Sequence, residues 1–171
     1  MRLIKTKKII DENVKIDFFT EFIASAAYTG FAPKASGTAG SAFAVVFLFI
    51  SGFYSPVILF TLSFIFFFTG IVVSGRMMQR YGDDPSVVVI DEVVGQWVSL
   101  GIISIFSPLV SVQIAVISFL TFRFFDIFKI SPSGYFDRLK SGFGIMMDDV
   151  IAGIYSGSAS VMILFIMKHA W

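Results

Sequence analysis

The sequence has 171 residues, of which 56% are hydrophobic and 17% aromatic, with only 15% charged and a mean hydropathy of +0.85; soluble domains carry about 25% charged residues, so the composition argues against an ordinary water-soluble fold. The lack of cysteine rules out a disulfide scaffold, a thiolate metal site and a Cys nucleophile, and the single histidine, His169, rules out His-rich metal sites and any mechanism needing two imidazoles. The net charge of +1 hides an asymmetry, because the 13 basic and 12 acidic residues are gathered into a few short stretches.

Residues 1–34 form a basic N-terminal segment. Arg2, Lys5, Lys7, Lys8 and Lys15 are not followed by an apolar core of signal-peptide design, so no cleavable signal is expected. Ile16, Phe19, Phe22, Ile23, Ala26 and Ala27 recur at helical spacing opposite Asp17, Thr20 and Glu21, which predicts an amphipathic helix. That helix either lies in the membrane interface, held to anionic lipid by the lysines, or packs on the helices that follow.

Residues 35–171 are expected to form a single transmembrane helical domain. The chain runs 41 residues, Ala35 to Gly75, without a charge, enough for two crossings joined at Ser51-Gly52-Phe53-Tyr54-Ser55-Pro56. A second uncharged run of 30 residues, Val93 to Phe122, is broken at Ser107-Pro108, and a third of 18 covers Val150 to Met167. The expectation is an all-α integral membrane protein with about five spans, near 39–53, 56–75, 86–106, 108–125 and 148–167, besides the N-terminal helix. The first span is short: 15 residues reach only ~22 Å, as a tilted helix or a re-entrant hairpin. The stretch Gly30 to Ser41, rich in glycine and hydroxyls before a helix start, serves either to offer backbone N–H groups to a phosphate or to let helices pack closely.

Lys and Arg accumulate in cytoplasmic loops. With five spans and a cytoplasmic N-terminus, Arg2, Lys5, Lys7, Lys8, Lys15, Lys34, Arg76, Arg80, Arg123, Lys129, Arg138 and Lys140 all fall inside, and Lys168 alone falls outside. A re-entrant first span would instead put Arg76 and Arg80 outside. His169 and Trp171 are expected as interface anchors.

Asp83, Asp84, Asp91, Glu92, Asp126, Asp137, Asp148 and Asp149 all reach the cytoplasmic ends of the third, fourth and fifth spans in that topology. Asp84-Pro85 reads as a helix start, with Asp as cap and Pro at the first position. Asp91, seven residues on, would share its helical face ~10 Å away. Gly95 lies four residues beyond Asp91, and the fifth span repeats the pairing with Asp149 and Gly153. Small residues there let another helix or a ligand approach the carboxylates. Asp148 or Asp149 taken singly also reads as a helix cap, Asp126 as an ion-pair partner of Arg123 or Lys129, and Asp83 as solvated loop. Asp91-Glu92 has no local basic residue, and burying such a pair at mid-membrane would cost on the order of 5–7 kcal/mol, so it requires a wet cavity or cations.

Carboxylates without thiols or imidazoles are hard oxygen ligands, suited to Mg²⁺ or, alternatively, Mn²⁺. Arg123, Lys129 and Arg138 share the face and are fit to hold a phosphate. Because acids outnumber bases there, metal-bridged phosphate chemistry is the natural reading.

The strings DPSVVVIDEVVGQW (84–97), FRFFDIFK (122–129), FDR (136–138) and GFGIMMDDVIAG (142–153) together resemble the phosphatidylglycerophosphatase A family, in matching order from about Gly30 to Gly153. The resemblance implies a Mg²⁺-dependent phosphatase of the bacterial inner membrane that takes the terminal phosphate from phosphatidylglycerophosphate, a phospholipid in the bilayer. It also implies functional positions at Asp84, Asp91, Glu92, Asp126, Lys129, Asp137, Arg138, Asp148 and Asp149, with Gly37 and Thr38 in the N-terminal loop. Ser36-Gly37-Thr38 and Lys129-Ile130-Ser131-Pro132 each lack a proline typical of the family, which changes loop rigidity without removing a ligand. Combining residues and resemblance, Asp84, Asp91, Glu92, Asp148 and Asp149 are expected to hold metal. Arg123, Gly37 and Thr38 would bind the substrate phosphate, and Asp126, Lys129, Asp137 and Arg138 would serve catalysis.

Two other readings share the composition. A CDP-alcohol phosphotransferase would also use clustered aspartates and a lipid, but its D-x-x-D-G-x-x-A-R run is absent. A carboxylate-based cation or proton transporter should place acids at mid-membrane on several helices, whereas here they stop at one face. Neither nucleic acid nor an obligate protein partner is expected.

Overall fold

The computed structural model describes residues 11–170. Arg2, Lys5, Lys7 and Lys8 of the basic lead, and Trp171, lie outside the described residues. Among those residues the chain is helical with no strand: α1 (Phe18–Ala24), α2 (Ser36–Val46), α3 (Pro56–Tyr81), α4 (Ile90–Phe106), α5 (Val112–Phe128), α6 (Ser133–Phe136) and α7 (Gly142–His169).

Among the described residues two helices, α3 and α7, are long and apolar enough to cross a membrane, with mean hydropathies of 2.5 and 2.0 in their most apolar stretches. The central helix of a soluble protein passes the same test but is mostly buried; here only 28% and 33% of those stretches are buried. Val57, Phe64, Phe68 and Val72 form an exposed stripe along α3 at helical spacing. That is the pattern of a helix facing lipid. Helices α4 and α5, 17 residues each, reach ~26 Å, and α2 with the 3₁₀ turn Phe47–Phe49 reaches ~21 Å.

Helix α4 is the centre of the bundle, packed by α2, α3, α5 and α7. Ile90 and nearly every residue from Val93 to Ser104 are buried. Trp97 anchors it to the α2 hairpin: its Nε1–H donates to the Ala44 carbonyl at 3.2 Å, and its ring meets Phe47, Phe53 and Phe66 edge-on.

Helix α1 packs on the helices that follow, one of the two readings of the N-terminal segment. It starts at the Asp17 cap, whose side chain accepts from the Thr20 amide, and ends early because Ala26, Ala27 and Tyr28 all have positive φ. Its polar side faces α3, where Arg76 reaches Asp17 and Thr20 at 3.4 and 3.3 Å and the Tyr81 hydroxyl donates to Glu21. Phe18 and Phe19 point outward, 60% and 72% exposed, in an aromatic cluster with Phe22, Tyr28 and Phe31. The helix is therefore docked on the bundle by its polar face and presents an aromatic face to the surroundings. Arg80 donates to the Val14 carbonyl, so Arg76 and Arg80 sit at the same end of the bundle as the N-terminal segment.

Two expected helix starts are corrected. Asp84 does not cap α4: its φ is 48°, and the chain from Pro85 to Val89 is taken up by residues 24–30. The Val89 amide donates to the Ala24 carbonyl at 2.9 Å, and Gly30 packs on the backbone of Val87. Helix α4 therefore begins at Ile90, and Asp84 shares no helical face with Asp91. Asp148 and Asp149 do not cap the last helix either, because Ser141 does, accepting from the Gly144 amide at 3.1 Å.

Candidate metal and phosphate site

The site is built where α4 and α7 touch most closely. A Cβ placed on Gly95 would lie 2.5 Å from the Asp149 carbonyl oxygen, and one on Gly153 would overlap the Gly95 carbonyl. With no side chains between the backbones, Asp91 and Glu92 in the first turn of α4 meet Asp149 in the second turn of α7. Carboxylate oxygens of Asp91, Glu92 and Asp149 all lie within 4.8 Å of one another.

Three negative charges at that spacing repel by ~3–4 kcal/mol per pair at an effective dielectric of 20. Among the described residues the ion pairs of Arg123 and Lys129 go to other acids and leave this triad without one. Asp91 Oδ1 and Glu92 Oε2 are shut off from solvent with no hydrogen-bond partner among the described residues. Orphaned, closely spaced, hard oxygen atoms are the donor set a divalent cation such as Mg²⁺ requires, so the residues present fit the ion.

Two cations frame the triad. Arg123, one turn from the end of α5, pairs with Asp126 at 2.8 Å and donates to the Ser41 hydroxyl of α2 at 3.3 Å. Gly37, in the first turn of α2, lies against Glu92 Oε1, and a Cβ there would also stand 3.3 Å from an Arg123 nitrogen. The partly buried Thr38 follows in the same turn, whose first amides have no partner within the helix. The N-terminus of α2 thus points at the carboxylates.

Lys129 ends α5 in the left-handed conformation, φ 46°. Its ammonium is held by Asp137 at 2.5 Å and by the buried Asp148 at 2.6 Å. Burial by itself would lower the lysine's pKa, but the Asp148 charge and the hydrogen bonds from Asp137 and Asp148 outweigh it and hold the pKa above the ordinary lysine value. A cavity of about 230 Å³ opens beside it, lined by Lys129, Ser131, Gly134, Tyr135 and Arg138.

The structure thus brings together Asp91, Glu92 and Asp149 of the five expected metal ligands. Asp148 turns to Lys129, and Asp84 stays in the loop before α4. Sequence reasoning missed Ser41, and behind the triad it missed a layer of buried hydroxyls: Ser99 and Thr121 each hydrogen-bond to Ser156, and Gln96 donates to Ser118. The signal was present, since Gln96 stands four residues after Glu92 and Ser156 seven after Asp149, one and two turns along the same faces.

A family model described as phosphatidylglycerophosphatase A matches residues 22–164. The chain belongs to the phosphatidylglycerophosphatase A family. A phosphatidylglycerophosphatase A of Escherichia coli is 30% identical over 150 residues, covering 84% of this chain and 80% of the relative. One of Haemophilus influenzae is 42% identical over 87 residues, 50% of this chain and 48% of the relative. A provisionally named phosphatidylinositol-3-phosphatase of Bacteroides thetaiotaomicron is 36% identical over 140 residues, covering 75% and 82%. No solved structure matches. Membership makes the chain a phosphatase of phospholipid metabolism, and the matched region takes in α2 to α7 up to Leu164, hence every residue of the candidate site.

Proposed function

We propose that the chain is a Mg²⁺-dependent phosphatase that hydrolyses the terminal phosphate of phosphatidylglycerophosphate to give phosphatidylglycerol, at the cytoplasmic face of a bacterial inner membrane. The observation that carries this reading is the closely spaced triad of half-buried Asp91 and Glu92 with buried Asp149, beside Arg123 and the first turn of α2. In this arrangement α2 to α5 and α7 all enter the bilayer, with α2 and its 3₁₀ turn as a short, tilted span. The N-terminus is cytoplasmic, because Lys15, Arg76, Arg80, Arg123 and Lys129 belong to the end that carries the acids, while Lys168 ends α7 at the other.

Asp91, Glu92 and Asp149 would hold the ion, and the α4–α7 glycine contact sets their spacing. When bound, Mg²⁺ neutralises charge on the phosphomonoester and acidifies water. Arg123 receives phosphoryl oxygens in a geometry fixed from two sides, by Asp126 and by Ser41. The free amides of Gly37 and Thr38 add uncharged donors along the axis of α2, whose positive end favours an anion. A water oxygen bonds to phosphorus as the bond from phosphorus to the terminal glycerol oxygen breaks; the water gives up one proton and the departing oxygen takes one up, giving inorganic phosphate and phosphatidylglycerol. Asp126 and Asp137, as ion-pair partners, orient Arg123 and Lys129, and Arg138 adds a second basic side chain to the cavity beside Lys129. The acyl chains stay in the bilayer, which explains a site placed at helix ends.

The test is phosphate release from phosphatidylglycerophosphate by the purified protein, with Mg²⁺ or with chelator, alongside Asp91→Asn and Asp149→Asn. Each substitution and the chelator should abolish release. Turnover indifferent to all three would refute the reading. Phosphatidylinositol 3-phosphate offered as competitor decides between the two substrates that the relatives' names suggest.

A further inference from the structure

A groove of about 230 Å³ runs between α2 and α5, lined by Ala42, Val45, Ala115, Val116, Phe119 and Leu120, almost wholly by apolar atoms. Its rim residues Ala42, Val116 and Leu120 are exposed, and Ala115 at its floor is buried. It adjoins the site along both helices. Ala42 follows Ser41, the residue that binds Arg123, and Phe119 and Leu120 precede Arg123 by one turn of α5. Along α5 the groove therefore begins ~5 Å from the level of Arg123 and ends ~12 Å from it. Small residues at 42 and 115 create the depression, whereas α3 meets its surroundings with a ridge of large side chains, Val57, Phe64 and Phe68.

We propose that this groove holds the upper part of one acyl chain of the phospholipid whose headgroup occupies the site; the proposal rests on the reading of the chain as a lipid phosphatase. A tail gains no hydrophobic free energy on leaving the bilayer for the groove, because lipid is as apolar as the lining. The groove acts by position. A chain lying in it brings the ester linkages to the level of Arg123 and Gly37 and limits the headgroup's swing toward the carboxylate triad, an orientational gain expressed in turnover.

Ala42→Trp fills the groove from its exposed rim without disturbing buried residues, and Leu120→Ala widens it. We expect Ala42→Trp to lower kcat/KM for long-chain phosphatidylglycerophosphate by about tenfold or more while leaving a short-chain analogue, whose tails do not reach the groove, within about twofold of the unaltered protein. Leu120→Ala should shift the preference between chain lengths without unfolding the protein. Equal losses for both substrates, or no loss for either, would overturn the proposal. Independently of turnover, phosphatidylglycerophosphate carrying a diazirine in mid-chain should label Val116 and Leu120 in preference to Phe64 and Phe68, and more strongly than phosphatidylcholine with the same tail. Even labelling of α3 and α5 irrespective of headgroup would mark the groove as ordinary lipid contact. An inactive protein that still labels with headgroup preference would sink the phosphatase reading and leave the groove standing.

Discussion

Gly153 of α7 lies against the carbonyl of Gly95 in α4 so closely that a methyl group on Gly153 would overlap that oxygen. The contact sets the depth at which α4 and α7 meet, and with it the distance from Asp149 to Asp91 and Glu92, since each glycine stands one turn from an acid. We expect Gly153→Ala to push the helices apart, costing about 1–3 kcal/mol of stability and a larger relative loss of phosphatase activity and of metal binding. Gly52, with open space around it, is the control for general sensitivity, because its replacement meets no neighbour although its φ of 80° strains a side chain. Thermal unfolding in detergent and Mn²⁺ affinity check both arms; a Gly153→Ala protein with unaltered metal affinity would show that the spacing is set elsewhere.

Much of this was legible in the sequence because charge is so scarce in it. In an apolar chain the glycine four residues after an acid is conspicuous, and the pairings of Asp91 with Gly95 and of Asp149 with Gly153 mark the two helices whose acids the structure brings together. What the sequence withheld was tertiary. Asp84-Pro85 has the local signature of a helix start, yet the hydrogen bond from the Val89 amide to Ala24 claims the backbone that the helix would need. Asp148 and Asp149 are neighbours in sequence, but successive residues on a helix point ~100° apart, so one faces Lys129 and the other the triad. Ser41 closes the hydroxyl-rich stretch that begins at Gly30, but its individual role was not legible, because it lies in a hydrogen bond from Arg123, 82 residues away.

The triad should lose function asymmetrically against its neighbours. Asp91→Asn, Glu92→Gln and Asp149→Asn keep shape and remove charge, and each should cost more than ~100-fold in metal affinity, beyond what removal of an outer-shell partner costs. Because the three carboxylates repel one another, each substitution should also leave the metal-free protein as stable as before or more so. Isothermal titration with Mg²⁺ or Mn²⁺, paired with unfolding in chelator, separates these effects. A variant less stable in chelator and unchanged in metal affinity would make the cluster structural.

Asp17 couples the N-terminal helix to pH. Hydrogen bonds from the Thr20 hydroxyl and amide, with a smaller contribution from Arg76, hold its carboxyl below the usual aspartate value. A folded-state pKa below the unfolded one means that its contribution to stability is present above the unfolded value of ~3.9 and is lost as pH falls through the folded one. Amide protection in α1 should therefore be flat from about pH 5 to 8 and fall only in acid. Asp17→Asn, which retains a capping oxygen, should remove most of that acid dependence while keeping the helix; hydrogen exchange across residues 18–24 reads both.

Lys129 stands between two carboxylates, and the more buried of them, Asp148, with a side chain 7% exposed, depends on it. Removing the ammonium leaves the Asp148 carboxyl buried in the helix bundle without its basic partner. The loss in Lys129→Met should reach about 2–4 kcal/mol, at or below the range for fully buried pairs because the Lys129 side chain is itself one-third exposed. Replacing Asp148 by Asn in the same protein should recover most of the stability, a coupling that a double-mutant cycle measures directly. If Lys129 instead served chiefly to bind substrate phosphate, the single substitution would raise KM with little change in unfolding, and the Asp148→Asn background would recover nothing. The left-handed backbone at position 129 adds a separate check. Lys129→Gly relieves a conformation that costs a side chain ~1–2 kcal/mol, so it should be less destabilising than Lys129→Met, although both lack the ion pair.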